Sequence, residues 1–470
     1  MYRSILYLIS VLMLSSCAIG PDYLRPSVKT PQAWRFEEAQ AKDMANTLWW
    51  KQFHEPVLDE LIETALKENN DVRIATARVE EFMGRYAITR AGQFPQIAGS
   101  AIGQRKGVTQ YSNPPWPATA DNPYPDYQAF LSASWEIDIW GRLRRATQAA
   151  RADMLATEEG RRGVVLTVVT AVAIGYTDLL DLDKQLEIAE RTANSREHSF
   201  RLFKLRFDRG LVSELELRQI ESEYRAALAV IPLLQKLIAQ QENALSVLLG
   251  RNPGPIPRGM PLDRLELPSV PASLPSELLE RRPDIRQAEQ NLIAANARIG
   301  VARAQYFPVI SLTGMFGVES TDLSRLFTGP ARMWTYAAPV SGPVFTAGGI
   351  AGSVKAAEAV QRQSLLRYQQ VIQQAFREVE DALVDQGKSR EQLKAQRQQV
   401  EALQGYARLA NLRYENGYTS YIEVLDAERN LFNSELSYAQ TQGALFRALV
   451  NLYKSMGGGW VTEAGAIFGG

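Results

Sequence analysis

Two carboxylates three positions apart, Glu423 and Asp426, fall on one face of any helix that carries them. Around a threefold axis each would become a ring of three carboxylates, and acidic rings at a constriction select cations and repel anions. Ile422 stands beside them. The competing reading is a solvated face of a long helix, since charge pairs on helices are common. Beyond this pair the sequence offers little chemistry. Its two histidines, His54 and His198, lie far apart and read as surface residues, not metal ligands. No HExxH, P-loop or GxSxG pattern occurs. Gly348-Gly349 and Gly457-Gly458-Gly459 read as turns and helix ends, not phosphate cradles. No enzyme, cofactor or metal is implied.

The single cysteine, Cys17, is the other reactive group. It closes Leu14-Ser15-Ser16-Cys17, which follows Arg3 and the apolar run Ile5 to Leu14. That run is too short to span a bilayer, which takes about 20 residues, so it reads as a signal peptide. The four residues resemble a bacterial lipobox. Such a signal implies a diacylglyceryl thioether and an acylated amine on Cys17, with several acyl chains anchoring stably where one would not. Ala18 follows, not Asp, which favours outer-membrane sorting. With Cys17 consumed, neither a disulfide nor a thiolate metal site remains.

Lys+Arg and Asp+Glu are both 52 in 470 residues, so no bulk basic field points to nucleic acid. A mean hydropathy of −0.21 excludes a polytopic helical membrane protein, while 46% hydrophobic residues excludes a disordered chain.

These groups must be positioned by a unit written twice. Asn70-Asp71-Val72-Arg73 matches Pro283-Asp284-Ile285-Arg286, and Arg90 to Pro95 matches Arg303 to Pro308. Arg206-Phe207-Asp208-Arg209-Gly210 matches Arg413-Tyr414-Glu415-Asn416-Gly417, each followed by a serine, Ser213 and Ser420. The division predicted is a signal peptide over 1–16, a lipidated extended segment over 17–53, a first repeat over 54–251, a Pro-rich linker over 252–275, a second repeat over 276–460 and a tail over 461–470. Each repeat reads as helix, Phe-Pro, strand, loop, strand, very long helix, tight Gly turn and last helix. Gly141 to Asp208 and Gly348 to Asn416 are free of proline, and 1.5 Å per residue makes such helices about 100 Å long. Pro232 is expected to interrupt and kink the last helix of the first repeat. Gly210 and Gly417 suit the left-handed position of a turn between helices.

The strands alternate. Tyr127, Ala129, Leu131, Ala133, Trp135, Ile137 and Ile139 share one face; Gln128, Ser132, Ser134, Glu136 and Asp138 share the other, with Phe130 the exception. One apolar and one polar face fits a membrane barrel with lipid outside and water inside. About four such strands per chain cannot close alone, because the smallest barrels need about eight. Three chains would supply about twelve.

Over nearly the whole mature chain the sequence resembles the TolC-like outer-membrane efflux proteins, and among them the lipidated OprM-type (NodT-like) branch. The resemblance rests on the lipobox with Gly20-Pro21-Asp22-Tyr23, on Trp135 to Arg142, and on Leu279-Glu280-Arg281-Arg282-Pro283-Asp284-Ile285. It rests equally on Arg413 to Gly417 with Val424 to Arg429, and on Leu452 to Trp460. It implies a mostly helical fold with β: a homotrimer with a 12-stranded outer-membrane barrel and a helical periplasmic tunnel. It implies a periplasmic adaptor protein and a proton-driven inner-membrane RND transporter as partners. Acidic rings are implied near the periplasmic opening; the OprM-type branch tends to keep the one matching Asp426, with an apolar residue matching Ile422, and Glu423 departs from that. A gate lock is implied in which Tyr414 bonds Glu216 and Arg413 meets a carboxylate. A duct for type I protein secretion, and a structural periplasmic coiled-coil lipoprotein, are the alternatives.

Overall fold

The computed structural model describes residues 18–28, 30–36, 48–109, 111, 117, 119–267 and 275–457. The expected signal peptide 1–16, Cys17 and the tail 461–470 lie outside the described residues.

The helices are α1 (Pro56–Glu68), α2 (Asn70–Ala91), α3 (Arg142–Asp208), α4 (Glu214–Leu248), α5 (Leu278–Arg281), α6 (Pro283–Ala304), α7 (Gly349–Glu415) and α8 (Tyr421–Ser455). The strands are β1 (Gln96–Lys106), β2 (Tyr124–Ile137), β3 (Val309–Ser320), β4 (Arg332–Ala337) and β5 (Val340–Ser341). Corresponding helices have equal lengths: 22 residues in α2 and α6, 67 in α3 and α7, 35 in α4 and α8. The long helices are proline-free and carry ion pairs at helical spacing, such as Arg201–Glu197, Arg377–Asp381 and Arg397–Glu401. Each such pair adds a few tenths of a kcal/mol. Pro232 does not end α4, which runs through it; one missing amide donor is outweighed by the apolar face buried on either side, including Ala227 and Leu234.

The chain divides into two compact units. The first, whose described residues fall within 18–27, 79–157 and 288–368, holds the sheet. Its order is β1-β2-β3-β4, all antiparallel. The register sets Leu131 opposite both Gly99 and Phe316, and Phe316 opposite Trp334. With Ile97 and Tyr336 these side chains form one face, each of the large ones more than half exposed. On the reverse face Gln104 donates to Asp126 at 2.8 Å and Gln128 to Glu319 at 3.2 Å. The exception, Phe130, faces this polar side opposite Gly317, where a Cβ would stand 2.5 Å from that of Phe130. The fourth strand is broken into β4 and β5, because Pro339 has no amide to donate; its carbonyl still accepts from Ser311 N at 3.1 Å. Ile139, expected on β2, lies past its end.

The second unit, whose described residues fall within 28–78, 158–287 and 369–457, holds the main core. Trp49, Trp50 and Phe53 sit against Val169, Val172, Tyr176, Leu245, Phe446 and Tyr453, and Trp49 stacks on Tyr453 with centroids 5.2 Å apart. The α3 stretch apolar enough to cross a membrane is mostly buried in the protein itself.

Candidate functional site

The candidate site is where α3 turns into α4 and α7 into α8. Both turns have the same backbone. Gly210 (φ +75°) donates to Phe207 O at 2.8 Å while Leu211 N reaches Arg206 O at 2.9 Å. Gly417 (φ +77°) donates to Tyr414 O and Tyr418 N to Arg413 O, both at 2.9 Å. Each closes its helix with a left-handed glycine that satisfies orphan carbonyls.

The restart differs, and the difference frees a carboxylate. Ser213 and Glu216 form a reciprocal capping box on α4, with Glu216 Oε2 accepting from Ser213 N at 2.8 Å. At the matching place on α8, Ser420 makes no side-chain cap. Glu423 instead accepts from Thr419 and from Arg413 Nη1, the latter at 2.9 Å. Asp426 accepts from Arg429 Nη2 at 2.8 Å and from Asn430 at 3.1 Å. Ile422 is largely exposed beside them.

Tyr414 therefore does not take the partner expected of it within the chain. Its hydroxyl accepts from Arg206 Nη1 at 3.0 Å, because Glu216 is held on the α4 cap. Arg413 does find a carboxylate, Glu423. Arg206 was legible: it occupies in the first turn motif the place of Arg413 in the second. Beneath it the rings of Phe203, Tyr414 and Tyr421 pack together, with Phe203–Tyr421 centroids 4.4 Å apart. Burial pushes the Tyr421 hydroxyl up to about 12.

Sequence reasoning missed the layer below. Arg196, nearly fully buried, donates to Glu223 O at 2.8 Å and lies 3.1 Å from its carboxylate. Burial pushes the Glu428 carboxyl up, against the pull of Asn411 and Arg196. Arg191 joins α3 to Glu435 of α8 at 2.7 Å. Periodicity cannot reveal such pairs, because they depend on which helices are neighbours. Deeper in the unit, burial pushes Asp181 up to about 6, against the hydrogen bond from Gln185 and the charge of Arg447.

A sheet with an exposed apolar face, joined to proline-free 67-residue helices that end in charged turns, defines a channel-forming transport protein. The sequence model of the outer membrane efflux protein family matches residues 61–251 and 274–458, and the chain belongs to that family. It is 37% identical over 459 residues to a solvent efflux pump outer membrane protein, SrpC, of Pseudomonas putida, covering 96% of this chain and 97% of that one. It is 35% identical over 455 residues to the cation efflux system protein CusC of Escherichia coli, covering 96% and 97%. Among solved structures it resembles the outer-membrane channel OprN (TM-score 0.87, 30% identity, 95% of this chain and 100% of that one). It also resembles the open state of the Neisseria gonorrhoeae MtrE outer membrane channel (TM-score 0.85, 30% identity, 94% and 99%).

Proposed function

We propose that the chain is the exit duct of a tripartite RND-type efflux system, a homotrimer lipid-anchored at Cys17 in the Gram-negative outer membrane. A periplasmic adaptor protein and an inner-membrane RND transporter are its partners. The observation that carries this reading is the four-stranded sheet, apolar on its exposed face, with β1 and β4 left as open edges. An open edge in lipid leaves unpaired amides and carbonyls, each costing several kcal/mol, so the sheet must close with other copies. The detergent-solubilised protein is expected to be a trimer by light scattering corrected for detergent. A monodisperse monomer overturns this architecture. Cys17→Ser is expected to abolish palmitate labelling while sparing folding, because the barrel holds the protein independently; labelling at the wild-type level refutes acylation there.

Relatives of comparable identity are named for solvents and for cations. Cargo choice therefore lies with the inner-membrane transporter, and the duct itself needs only a wall and a gate. The gate is the pair of turns: Ile422, Glu423 and Asp426 line the constriction, and the lock is Arg413 and Tyr414. Tyr414 acts through Arg206, and Glu216 serves the lock by fixing the start of α4.

A further inference from the structure

The apolar face of the sheet is charged at one end only. The carboxylates of its strands, Asp126, Glu136 and Glu319, all lie on the opposite, polar face. The apolar face carries two charges, Arg105 of β1 and Arg332 of β4. Arg105 follows Ile97, Gly99, Ala101 and Gly103 at every second position, and Arg332 is paired with Val318 two residues before Trp334. Both stand where their strand meets a hairpin loop: Arg105 is next to last in β1, and Arg332 is the first residue of β4. That end points away from α2, α3, α6 and α7, which join the other ends of the strands. No strand residue at the helix-joined end of this face is charged.

Both arginines are exposed, and neither meets a carboxylate among the described residues. Asp322, on the loop between β3 and β4, is engaged by its own turn. It accepts from Ser324 N at 2.9 Å and lies 3.8 Å from Arg325. On the face beside Arg332, the exposed rings of Trp334 and Tyr336 stack with centroids 5.6 Å apart.

Closing the barrel brings the two arginines to one seam. β1 runs outward and β4 inward, so the open β1 edge of one copy and the open β4 edge of the next pair antiparallel, like the seams within the sheet. The apolar face of β1 has no acid to offer Arg332; it brings a second arginine to the same end. A guanidinium on the lipid face costs about 2–4 kcal/mol at the bilayer midplane and about 0–1 kcal/mol near the interface. Arg105 lies about 26 Å along β1 from Ile97, which takes it to headgroup level. An anion can meet it there, and a guanidinium holds phosphate through paired N–H donors.

We propose that each seam between copies is a binding site for a phosphate-bearing lipid of the outer leaflet. Arg332 of one copy and Arg105 of the next hold the phosphate, and Trp334 and Tyr336 lie against the body of the lipid. A closed trimer has three such sites.

The inference rests on the trimeric barrel reading, and the test separates the two. Native mass spectrometry follows the full-length detergent-solubilised protein titrated with an acylated glucosamine-disaccharide lipid that carries two phosphates. The wild-type trimer is expected to take up to three lipids. Arg105→Ala combined with Arg332→Ala is expected to weaken binding at least about tenfold, and so is removal of the lipid's phosphates. The double variant should still assemble, because removing charge from a lipid-facing strand lowers the cost of insertion. Lys106→Ala, the neighbour of Arg105 on the polar face, should bind like the wild type. Inorganic phosphate at millimolar concentration should not compete, since it lacks the body that lies on the rings. In a protein that is trimeric, equal affinity of wild type and double variant, or equal weakening by Lys106→Ala, overturns the site and leaves the duct standing. Full displacement by inorganic phosphate shows a site for a free anion and overturns the lipid. A monomer overturns the barrel and the site with it.

Discussion

Tyr414→Phe combined with Arg206→Ala is expected to raise single-channel conductance in planar bilayers and to admit vancomycin into intact cells. The bond between these residues ties the end of α7 to the end of α3. Any opening that splays one helical hairpin from the other must break it. A hydrogen bond to a charged donor contributes about 1.5–3 kcal/mol when buried, and this one is only partly buried, so about 1 kcal/mol is the fair figure. Three symmetry copies then bias the gate by about 3 kcal/mol, near 150-fold between closed and open. Glu423→Ala with Asp426→Ala should behave differently. In the wild type each carboxylate has an arginine beside it, Arg413 and Arg429, so the rings proposed for them would be nearly neutral pairs. Removing both acids leaves those arginines unpaired, and the reversal potential in a salt gradient should move towards anions, with reduced block by trivalent cations. If both double variants conduct and select like the wild type, the turns are a solvated surface and the gate lies elsewhere.

The alternation in β2 made the sheet's two faces legible, because period two survives whatever the strand pairs with. The same holds for the long helices: absence of proline over 67 residues leaves few alternatives to helix. What stayed hidden were the partners. Tyr414 and Glu216 stand close in sequence terms to the two turns, yet Glu216 is drawn to Ser213 by the local capping box, a pattern written plainly as Ser-Glu-Leu-Glu at 213–216. That box holds Glu216 and leaves the Tyr414 hydroxyl to Arg206. Arg145, near the start of α3, gave no signal: its carboxylate partner Asp22, at 2.7 Å, lies far back in the chain, and three further partners are backbone carbonyls, which every residue carries. Pro339 shows the reverse: the break in the last strand was written in the sequence, because proline cannot join a ladder through its nitrogen.

Arg282 carries the largest expected effect on stability. It belongs to the run Leu279 to Ile285, which marked the family in the sequence without disclosing a task for any side chain. In the structure Arg282 is about 7% exposed, and its guanidinium is engaged within the second unit. Nε and Nη2 grip both oxygens of Asp284 at 3.0 and 2.7 Å, Nη2 also meets Glu378 of α7 at 2.7 Å, and Nη1 donates to Ser455 O at 2.9 Å. One residue thus joins the start of α6, the middle of α7 and the last turn of α8. Burial opposes its charge, but the bonds from Asp284 and Glu378 outweigh that and raise its pKa. Arg282→Ala removes the buried member and leaves Asp284 and Glu378, both partly solvated, so the cost is that of the lost charge-assisted bonds, about 1.5–3 kcal/mol. Arg282→Ala should therefore lower the unfolding free energy of the purified protein, read from denaturant titration, by that amount and weaken assembly in cells. Arg282→Lys should recover little, because an ammonium cannot hold both oxygens of Asp284 and still reach Ser455 O. Asp284→Asn should cost less than Arg282→Ala, because Glu378 remains to balance the guanidinium. An unfolding free energy for Arg282→Ala within about 0.5 kcal/mol of wild type, the range of an ordinary surface change, would show that the end of α8 is fastened by its apolar contacts alone.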